Sequence, residues 1–297
     1  MEYKIFESSD TNVKKFVFEW GASAVTRKGI AEAVLYRYGE YAKRTVICCS
    51  VQSGCPVGCT FCGTGKFFVR NLDWHEIVEQ VTTVLSTIDC DTKDIEKFQI
   101  MFMSMGEPFL NYTNLEFAIE ALHDKYPNAQ LLVSTSAPST LYHAMSEFIE
   151  LSKRIPQVGL QFSVHESTDE ARAKLIPTKT CTLRQIAAAN TGRKPFFNYC
   201  VHEGNNTEED AKRLYKLFRI DVWETTLSVI CEKDETVKNS IDRQIRLIRD
   251  FNRKLCELGF STRVFNPAGQ DDIGGGCGQL WYFQEWLKNE GTNKVVN

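Results

Sequence analysis

Apolar positions recur at helical spacing in several stretches of the chain. Ile77, Val81, Val84 and Ile88 are spaced by four, three and four residues, and residues 241–258 repeat this pattern over a longer stretch. Such spacing places apolar side chains on one face and predicts amphipathic helices. Shorter patterns predict further helices at residues 115–122, 141–151 and 211–217.

Short apolar runs between these helices are typical of buried strands. They cover residues 44–51, 98–103, 130–133, 158–164, 196–201, 223–230 and 261–265. Residues 1–44 also predict strands, because they are rich in β-branched and aromatic residues. The alternation of strands and helices predicts an α/β fold with a parallel sheet, either doubly wound or closed into a full or partial barrel. No G-x-G-x-x-G follows the first strand, which counts against dinucleotide binding.

Chemically interesting residues follow several of these strands directly. A cysteine-rich loop, the Gly106-Glu107 turn, Ser134 and residues 163–165 each come at a strand's carboxyl end. In parallel α/β folds these ends carry the functional site. The four segments are therefore expected to converge.

The composition narrows the class of protein. The 297 residues carry a net charge of −3, with 43% hydrophobic and 25% charged residues, which is a globular balance and excludes a disordered chain. The sequence contains no apolar run long enough for a membrane span and no signal peptide at its start. We therefore expect a cytoplasmic protein without a membrane partner.

Cysteine is the unusual component, with 11 residues, five of them between positions 48 and 62. In a reducing compartment such clusters bind metal or take part in catalysis. Cys55, Cys59 and Cys62 have the spacing C-x3-C-x2-C. They fit a 4Fe–4S cluster with one open iron, a zinc site completed by Cys48 or Cys49, or simple reduced core cysteines. Because neighbouring strand residues face opposite sides, only one of Cys48 and Cys49 can face the loop.

The motifs around the cysteines resemble those of one known family. They are the segments at 48–55, 67–72, 105–111, 133–136, 163–165, 175–177, 270–273 and 277–280. Together they are similar to the radical S-adenosylmethionine (radical SAM) enzymes of the RlmN/Cfr family, which methylate adenine in ribosomal and transfer RNA. The resemblance runs from about residue 14 to about residue 283. It implies a single domain, with an N-terminal β extension at residues 1–44 and a partial (β/α)6 TIM barrel with a C-terminal carrier-cysteine loop at 45–297.

The resemblance also implies the cofactor sites. Cys55, Cys59 and Cys62 would ligate a 4Fe–4S cluster, and SAM would bind the open iron. The residues matching SAM-contacting positions are Phe61, Gly106, Glu107, Ser134, Ser136, Ser163, Val164, His165 and Cys231. Without the family, Glu107 would be interpreted as a surface acid at a helix start, and the serines as strand-end caps.

Two further cysteines would carry the methyl group. Cys277 lies among glycines at 274–276 and 278 and matches the family's methyl-carrier cysteine. Cys48 matches the resolving thiol that attacks the Cys277 sulfur and releases the product with a disulfide as by-product. Cys49 is then expected to face away and pack.

The chain departs from the family in three ways. It begins at the first strand, so we expect the small RNA-binding helical domain to be absent. Cys231 stands where the family has an Asn that contacts SAM, and Ala137 and Glu166 stand where it has Gly and Ala. These departures bear on which substrate is methylated more than on the cluster, SAM and carrier-cysteine chemistry.

Three functions follow from these observations. The first is methylation of C2 or C8 of adenine in rRNA or tRNA, with electrons from a flavodoxin- or ferredoxin-type donor. The second is the same mechanism on a nucleotide, heteroaromatic compound or peptide. The third is a metal-binding module without catalysis, against which the joint presence of Cys48 and Cys277 argues.

Overall fold

The computed structural model describes residues 1–22, 28–65, 67–139, 142–189, 191–229, 237–265 and 273–274. Within this part of the chain, ten strands form one sheet and two form a small hairpin. The sheet strands are β1 (Glu2–Glu7), β2 (Val13–Trp20), β3 (Gly29–Arg37), β4 (Arg44–Cys49), β7 (Lys97–Phe102), β8 (Gln130–Thr135), β9 (Val158–Ser163), β10 (Phe196–Val201), β11 (Glu224–Val229) and β12 (Thr262–Phe265). The hairpin consists of β5 (Gln52–Gly54) and β6 (Phe68–Asn71).

The strand order places a parallel barrel wall next to an antiparallel extension. The strands β4 and β7 to β12 are neighbours in chain order, and each pair is parallel. The strands β1 to β3 form an antiparallel meander that joins the wall through β4. This arrangement is the partial barrel that the family resemblance implies. The division into an extension at 1–44 and a core at 45–297 stays a prediction.

Helices connect the parallel strands. They are α1 (Trp74–Leu85), α2 (Tyr112–Lys125), α3 (Tyr142–Arg154), α4 (Asp169–Leu175), α5 (Leu183–Ala187), α6 (Glu208–Leu217) and α7 (Val237–Glu257). Asp73 begins α1 as its N-cap in a capping box with Glu76. No described helix has both the length and the apolar character that crossing a membrane requires.

Two hydrophobic clusters lie on the faces of the sheet. The main core packs the helices against its outer face and contains Ile47 and Cys49, both fully buried. A smaller cluster lies on the barrel side and is formed by Val13, Val34, Tyr36, Val46 and Ile273, with Cys48 and Met101 packed against it. Strand alternation thus separates Cys48 from Cys49, and Cys49 packs in the core as predicted.

Candidate active site

The cysteine loop is folded by its own backbone. Cys62 N donates to the Cys59 carbonyl at 3.1 Å, and Gly65 N donates to the Cys62 carbonyl at 3.0 Å. A side chain at Gly65 would place its Cβ 2.4 Å from the Cys59 carbonyl oxygen. The tight turn therefore requires glycine at this position. The loop is also fastened at its start, where Cys55 N donates to the Phe67 carbonyl at 2.7 Å.

The three loop thiols are partly buried and influence one another. Burial raises the pKa of Cys55 to about 12, and the nearby Cys62 thiol acts in the same direction. Burial, Cys62 and Cys55 likewise raise the pKa of Cys59. Bare thiolates are therefore unfavourable in this loop, and a positive metal centre would favour them.

This donor set fits a 4Fe–4S cluster. Clusters of this kind are held by cysteine thiolates, each on a different iron. Among the described residues, no three His, Cys, Asp or Glu side chains converge as the ligands of a single ion would. The ligands of a cluster need not converge on one point, because each thiolate binds a different iron. Three cysteines in one loop are enough to surround such a group. Cys55, Cys59 and Cys62 are therefore suited to hold the cluster.

Phe61 connects the cysteine loop to the segment after β9. Its ring meets the His165 imidazole edge-on, with the ring centroids 5.3 Å apart. A second connection is the hydrogen bond from Thr60 N to the Leu175 carbonyl, 2.9 Å long, at the end of α4. The loop thus lies against the carboxyl end of the barrel, as predicted.

His165 is fixed in one protonation state. Its Nδ1 accepts a hydrogen bond from Cys200 N at 3.2 Å, so the ring proton is carried by Nε2. Burial, followed by the electrostatic influence of the neighbouring Arg172 and His202 side chains, lowers the pKa of His165 to about 3. Its backbone has a φ of 60°, a left-handed conformation that His adopts more readily than most residues. The imidazole is therefore a neutral donor.

The turn after β7 joins the site through Gly106 and Glu107. Gly106 has a φ of 100°, and a Cβ there would lie 2.6 Å from the Gln52 side chain. The buried Glu107 carboxylate accepts from Phe109 N (3.1 Å), the Thr135 hydroxyl (2.5 Å) and both Ser136 N (2.8 Å) and its hydroxyl (2.7 Å). Burial raises the pKa of Glu107, and these hydrogen bonds oppose the shift. Glu107 is thus the buried N-cap of the short 3₁₀ helix Pro108–Asn111, and it ties this turn to β8. It is not a surface acid.

The remaining positions that the family resemblance assigns to SAM lie at adjacent strand ends. Ser134 is partly exposed near the end of β8, where its hydroxyl accepts from Gln161 Nε2 at 3.4 Å. Ser163 ends β9, and Val164 N donates to the Asn198 carbonyl at 3.0 Å. Together with Ser136 they form one rim beside the cysteine loop. Contact of any of them with SAM stays a prediction.

Arg172 is a site residue that the sequence analysis missed. Its side chain is 1% exposed and donates to the carbonyls of Ser136 (2.7 Å), Ser163 (2.8 and 3.2 Å) and Cys181 (3.2 Å), and to the Thr180 hydroxyl (2.5 Å). All these acceptors are neutral. One guanidinium therefore fastens the ends of β8 and β9 to each other and places a positive charge near Cys59 and Glu107. A buried arginine in α4 has no local sequence signal.

Both residues of the third departure from the family, Ala137 and Glu166, lie among the described residues. Ala137 has a φ of 56°, a conformation that suits the glycine the family carries there. Glu166 accepts from His202 Nε2 at 2.7 Å, and Gly204 N donates to His202 Nδ1 at 3.0 Å. The acid that replaces alanine is thus paired. Cys231 and Cys277 lie outside the described residues.

Comparison with known proteins agrees with this site. A model of the radical SAM superfamily matches residues 49–218. The probable dual-specificity RNA methyltransferase RlmN of Pseudothermotoga lettingae is 34% identical over 260 residues, covering 84% of this chain and 71% of that protein. The corresponding protein of Dictyoglomus turgidum is 28% identical over 297 residues, covering 96% of this chain and 79% of that protein.

A solved structure extends the similarity to three dimensions. The crystal structure of a radical SAM methyltransferase from Sphaerobacter thermophilus matches with a TM-score of 0.71 and 27% identity, over 93% of this chain and 79% of that one. The fold, the cysteine loop and the sequence relatives therefore agree. The chain belongs to the radical SAM superfamily and, within it, to the RlmN family of methyltransferases, enzymes that use SAM and a 4Fe–4S cluster.

Proposed function

We propose that this enzyme methylates an adenine carbon, C2 or C8, in ribosomal or transfer RNA, with Cys277 as methyl carrier and Cys48 as resolving thiol. The relatives named above are RNA methyltransferases. That similarity favours RNA over a free nucleotide, another heteroaromatic compound or a peptide.

The observation that carries the carrier mechanism is the position of Cys48. Its side chain packs on the barrel side of β4 against the cluster that includes Ile273. Cys277 follows Ile273 by four residues, a length of chain that spans at most about 14 Å. Cys49, on the other face, is buried in the core. Of these two strand cysteines, Cys48 is therefore the one that the contacts support as the resolving thiol.

The chain's residues prepare the cofactor site. When bound, the cluster and SAM supply a methyl group and a radical able to abstract hydrogen. Cys55, Cys59 and Cys62 would hold the cluster, and the rim of Gly106, Ser134, Ser136, Ser163 and Val164 would surround SAM. Phe61 and Arg172 keep the loop and the strand ends in place. The Nε2–H of His165 is a donor suited to an oxygen of SAM.

Glu107 supports the site through the hydrogen bonds that its carboxylate accepts. A carboxylate accepts about four hydrogen bonds, and the protein already supplies four. Contact with the SAM amino group, which the family resemblance implies, would require one of these donors to give way. The role best supported by the contacts of Glu107 is to hold the SAM-binding turn against β8.

The release step balances between two thiols. In the covalent adduct, a methylene carbon joins the Cys277 sulfur to adenine. The Cys48 thiolate attacks that sulfur, an S–S bond forms and the S–C bond breaks. The bonding pair stays on carbon, which takes up a proton and becomes the methyl group. The disulfide is then reduced by an external thiol. Burial raises the pKa of Cys48 to about 12, so removing its proton is part of this step.

The partners are proposed from the same chemistry. The enzyme requires a one-electron reductant, and we assign this role to a flavodoxin- or ferredoxin-type protein in the cytoplasm. Cys231, where the family carries a SAM-contacting Asn, is assigned to the SAM site on the resemblance alone.

The deciding experiment is nucleoside analysis of ribosomal and transfer RNA from cells with and without the gene. We expect one methyladenosine, substituted at C2 or C8, to disappear in the deletion strain and to return with the wild-type gene. A Cys277→Ala gene serves as the matched control and should not restore it. Unchanged methyladenosine in every RNA pool would refute the RNA substrate.

A further inference from the structure

A fully buried ion pair lies on the barrel side of the N-terminal meander. Lys15 Nζ of β2 is 2.6 Å from Glu32 Oε2 of β3, and both side chains have no exposed surface. The proposed methyl-transfer chemistry uses neither residue. Because burying two charges is costly, a pair of well-packed apolar residues is often as stable or more stable. The pair therefore calls for another explanation.

Glu32 is held by residues that lead into the active site. Its carbonyl accepts from the hydroxyls of Ser50 (2.6 Å) and Ser104 (2.7 Å), and its N–H donates to Met105 Sδ at 3.3 Å. Ser50 follows β4, and Ser104 precedes the Gly106 turn. The Glu32 backbone is thus fixed to the carboxyl ends of β4 and β7.

The strand register places this pair next to Cys48. Val34 of β3 is opposite Cys48 of β4, and the two strands are antiparallel. Glu32, two residues before Val34, therefore lies one step beyond Cys48 towards the cysteine loop and on the same face. Lys15 is opposite Val34 on β2, which brings its ammonium to this level.

Lys15 also reaches the segment that leads to Cys277. Its Nζ donates a buried hydrogen bond to the Gly274 carbonyl. The preceding Ile273 is buried in the cluster with Val13 and Val34. Cys277 follows Gly274 by three residues, a distance of at most about 11 Å along the chain. A charged donor binds a carbonyl more strongly than a neutral one does.

We infer that Lys15, oriented by Glu32, is a positioning residue that anchors the carrier segment at Gly274 and so keeps Cys277 within reach of Cys48 and the SAM site. This inference rests on the proposed function for its purpose, but the anchor itself can be tested without turnover. A charge is suited to this task because Lys15 interacts favourably with both Glu32 and the carbonyl, whereas an apolar pair would remove this buried donor from the carbonyl.

The test compares wild type with the double variant Lys15→Met/Glu32→Leu, which replaces the pair with apolar side chains of similar size. Hydrogen exchange is measured on the peptide spanning residues 273–278 in the cluster-loaded enzyme. We expect exchange at least about fivefold faster in the double variant, because the Gly274 carbonyl loses its donor. Lys14→Met is the matched control, since Lys14 directly precedes Lys15 on β2, faces the opposite side of the sheet and forms a partly exposed 3.8 Å pair with Glu7. It should exchange like wild type.

A second readout separates positioning from general damage. We expect the double variant to keep its iron content and SAM affinity, but to form more 5′-deoxyadenosine per methyl group transferred. Lys15→Arg, which keeps charge and donors, should restore part of the coupling and of the exchange protection. If the double variant does not fold, Glu32→Gln replaces it, with exchange expected to rise at least about twofold.

The outcomes distinguish the two proposals. Exchange in residues 273–278 that matches wild type in every folded variant overturns the anchor. Absence of methyl transfer by the wild-type enzyme refutes the proposed function, while the exchange comparison still decides the anchor.

Discussion

The ring of Phe61 stands at 88° to the imidazole of His165, with centroids 5.3 Å apart, so the residue beside the last cysteine of the loop packs on the second residue after β9. This contact joins segments that are about a hundred positions apart in the sequence. It passes through a histidine that is buried and neutral. The stability of the site should therefore respond to acid.

The first prediction concerns this acid response. The folded pKa of His165 is about 3, well below its ordinary 6.5. As the pH falls through 6.5, His165 becomes protonated in the unfolded chain but stays neutral in the folded one. Its contribution to the free energy of unfolding is therefore complete above pH 6.5 and declines towards pH 3. At pH 5.5 the loss is about 1.4 kcal/mol relative to pH 7.5. Urea unfolding at both pH values measures it.

His165→Asn is the matched variant for this prediction. Its side-chain oxygen can accept from Cys200 N, and Asn tolerates the left-handed backbone. The difference in unfolding free energy between the two pH values should be smaller in the variant by about 1.4 kcal/mol. An equal pH dependence in both proteins would show that another group is responsible.

The second prediction separates three cysteines. Cys48→Ala should accumulate a covalent enzyme–RNA adduct, because the thiol that breaks the S–C bond is missing. Cys277→Ala should transfer no methyl group and form no adduct. Cys49→Ala should retain the reaction and lose about 1 kcal/mol of stability, as expected for a small core truncation. Denaturing gels and mass spectrometry detect the adduct, and an adduct with Cys49→Ala in place of Cys48→Ala would reverse the assignment.

The third prediction concerns the cysteine loop. Gly65→Ala places a Cβ 2.4 Å from the Cys59 carbonyl oxygen, so the loop must open and its thiols must move apart. We expect at least about a fivefold loss of bound iron and sulfide while circular dichroism stays unchanged. Gly21→Ala, at a position with no atom within 4 Å, is the control. Normal iron in Gly65→Ala would mean that the loop tolerates the wider turn.

The fourth prediction concerns Arg172. Lysine keeps the charge but has three donors on one nitrogen, which do not span the four acceptors. Arg172→Lys should lower the free energy of unfolding by about 2–3 kcal/mol, because buried carbonyls lose their donors. SAM affinity should fall about tenfold, since the ends of β8 and β9 separate. Arg253→Lys, on an exposed face of α7, should change stability by less than about 0.5 kcal/mol.

Calorimetry for SAM and urea unfolding for stability test this prediction. Unchanged SAM affinity alongside reduced stability would limit Arg172 to a role in folding.

Much of the fold is readable from periodicity. The parallel strands and connecting helices follow patterns of three to six apolar positions, and Gly259 adopts the left-handed φ of 91° expected after α7. The short helices α4 and α5 and the β5–β6 hairpin are too brief for periodicity to identify. Their positions depend on long-range contacts, such as the hydrogen bond from Thr178 to the Val57 carbonyl.

The site is readable only in part for the same reason. Cysteine spacing and strand-end positions predict which segments meet, and the contacts of Phe61 with His165 and of Glu107 with Ser136 agree with that. The sequence does not reveal that Arg172 and Lys15 are buried. In the sequence, a buried cationic side chain cannot be told from an exposed one, because the carbonyl groups that accept its hydrogen bonds are brought together only by the tertiary structure.

The paired cysteines of β4 have a consequence for how this site withstands change. Sliding the strand by one position against its neighbours would turn Cys49 inwards and Cys48 outwards. One thiol would still face the barrel side after such a shift. With a single cysteine at this place, no thiol would face that side. Only the observed alignment also buries Ile47 in the core. With two adjacent cysteines, an insertion in the preceding turn would therefore disturb the packing around β4 but still leave a thiol for the proposed release step.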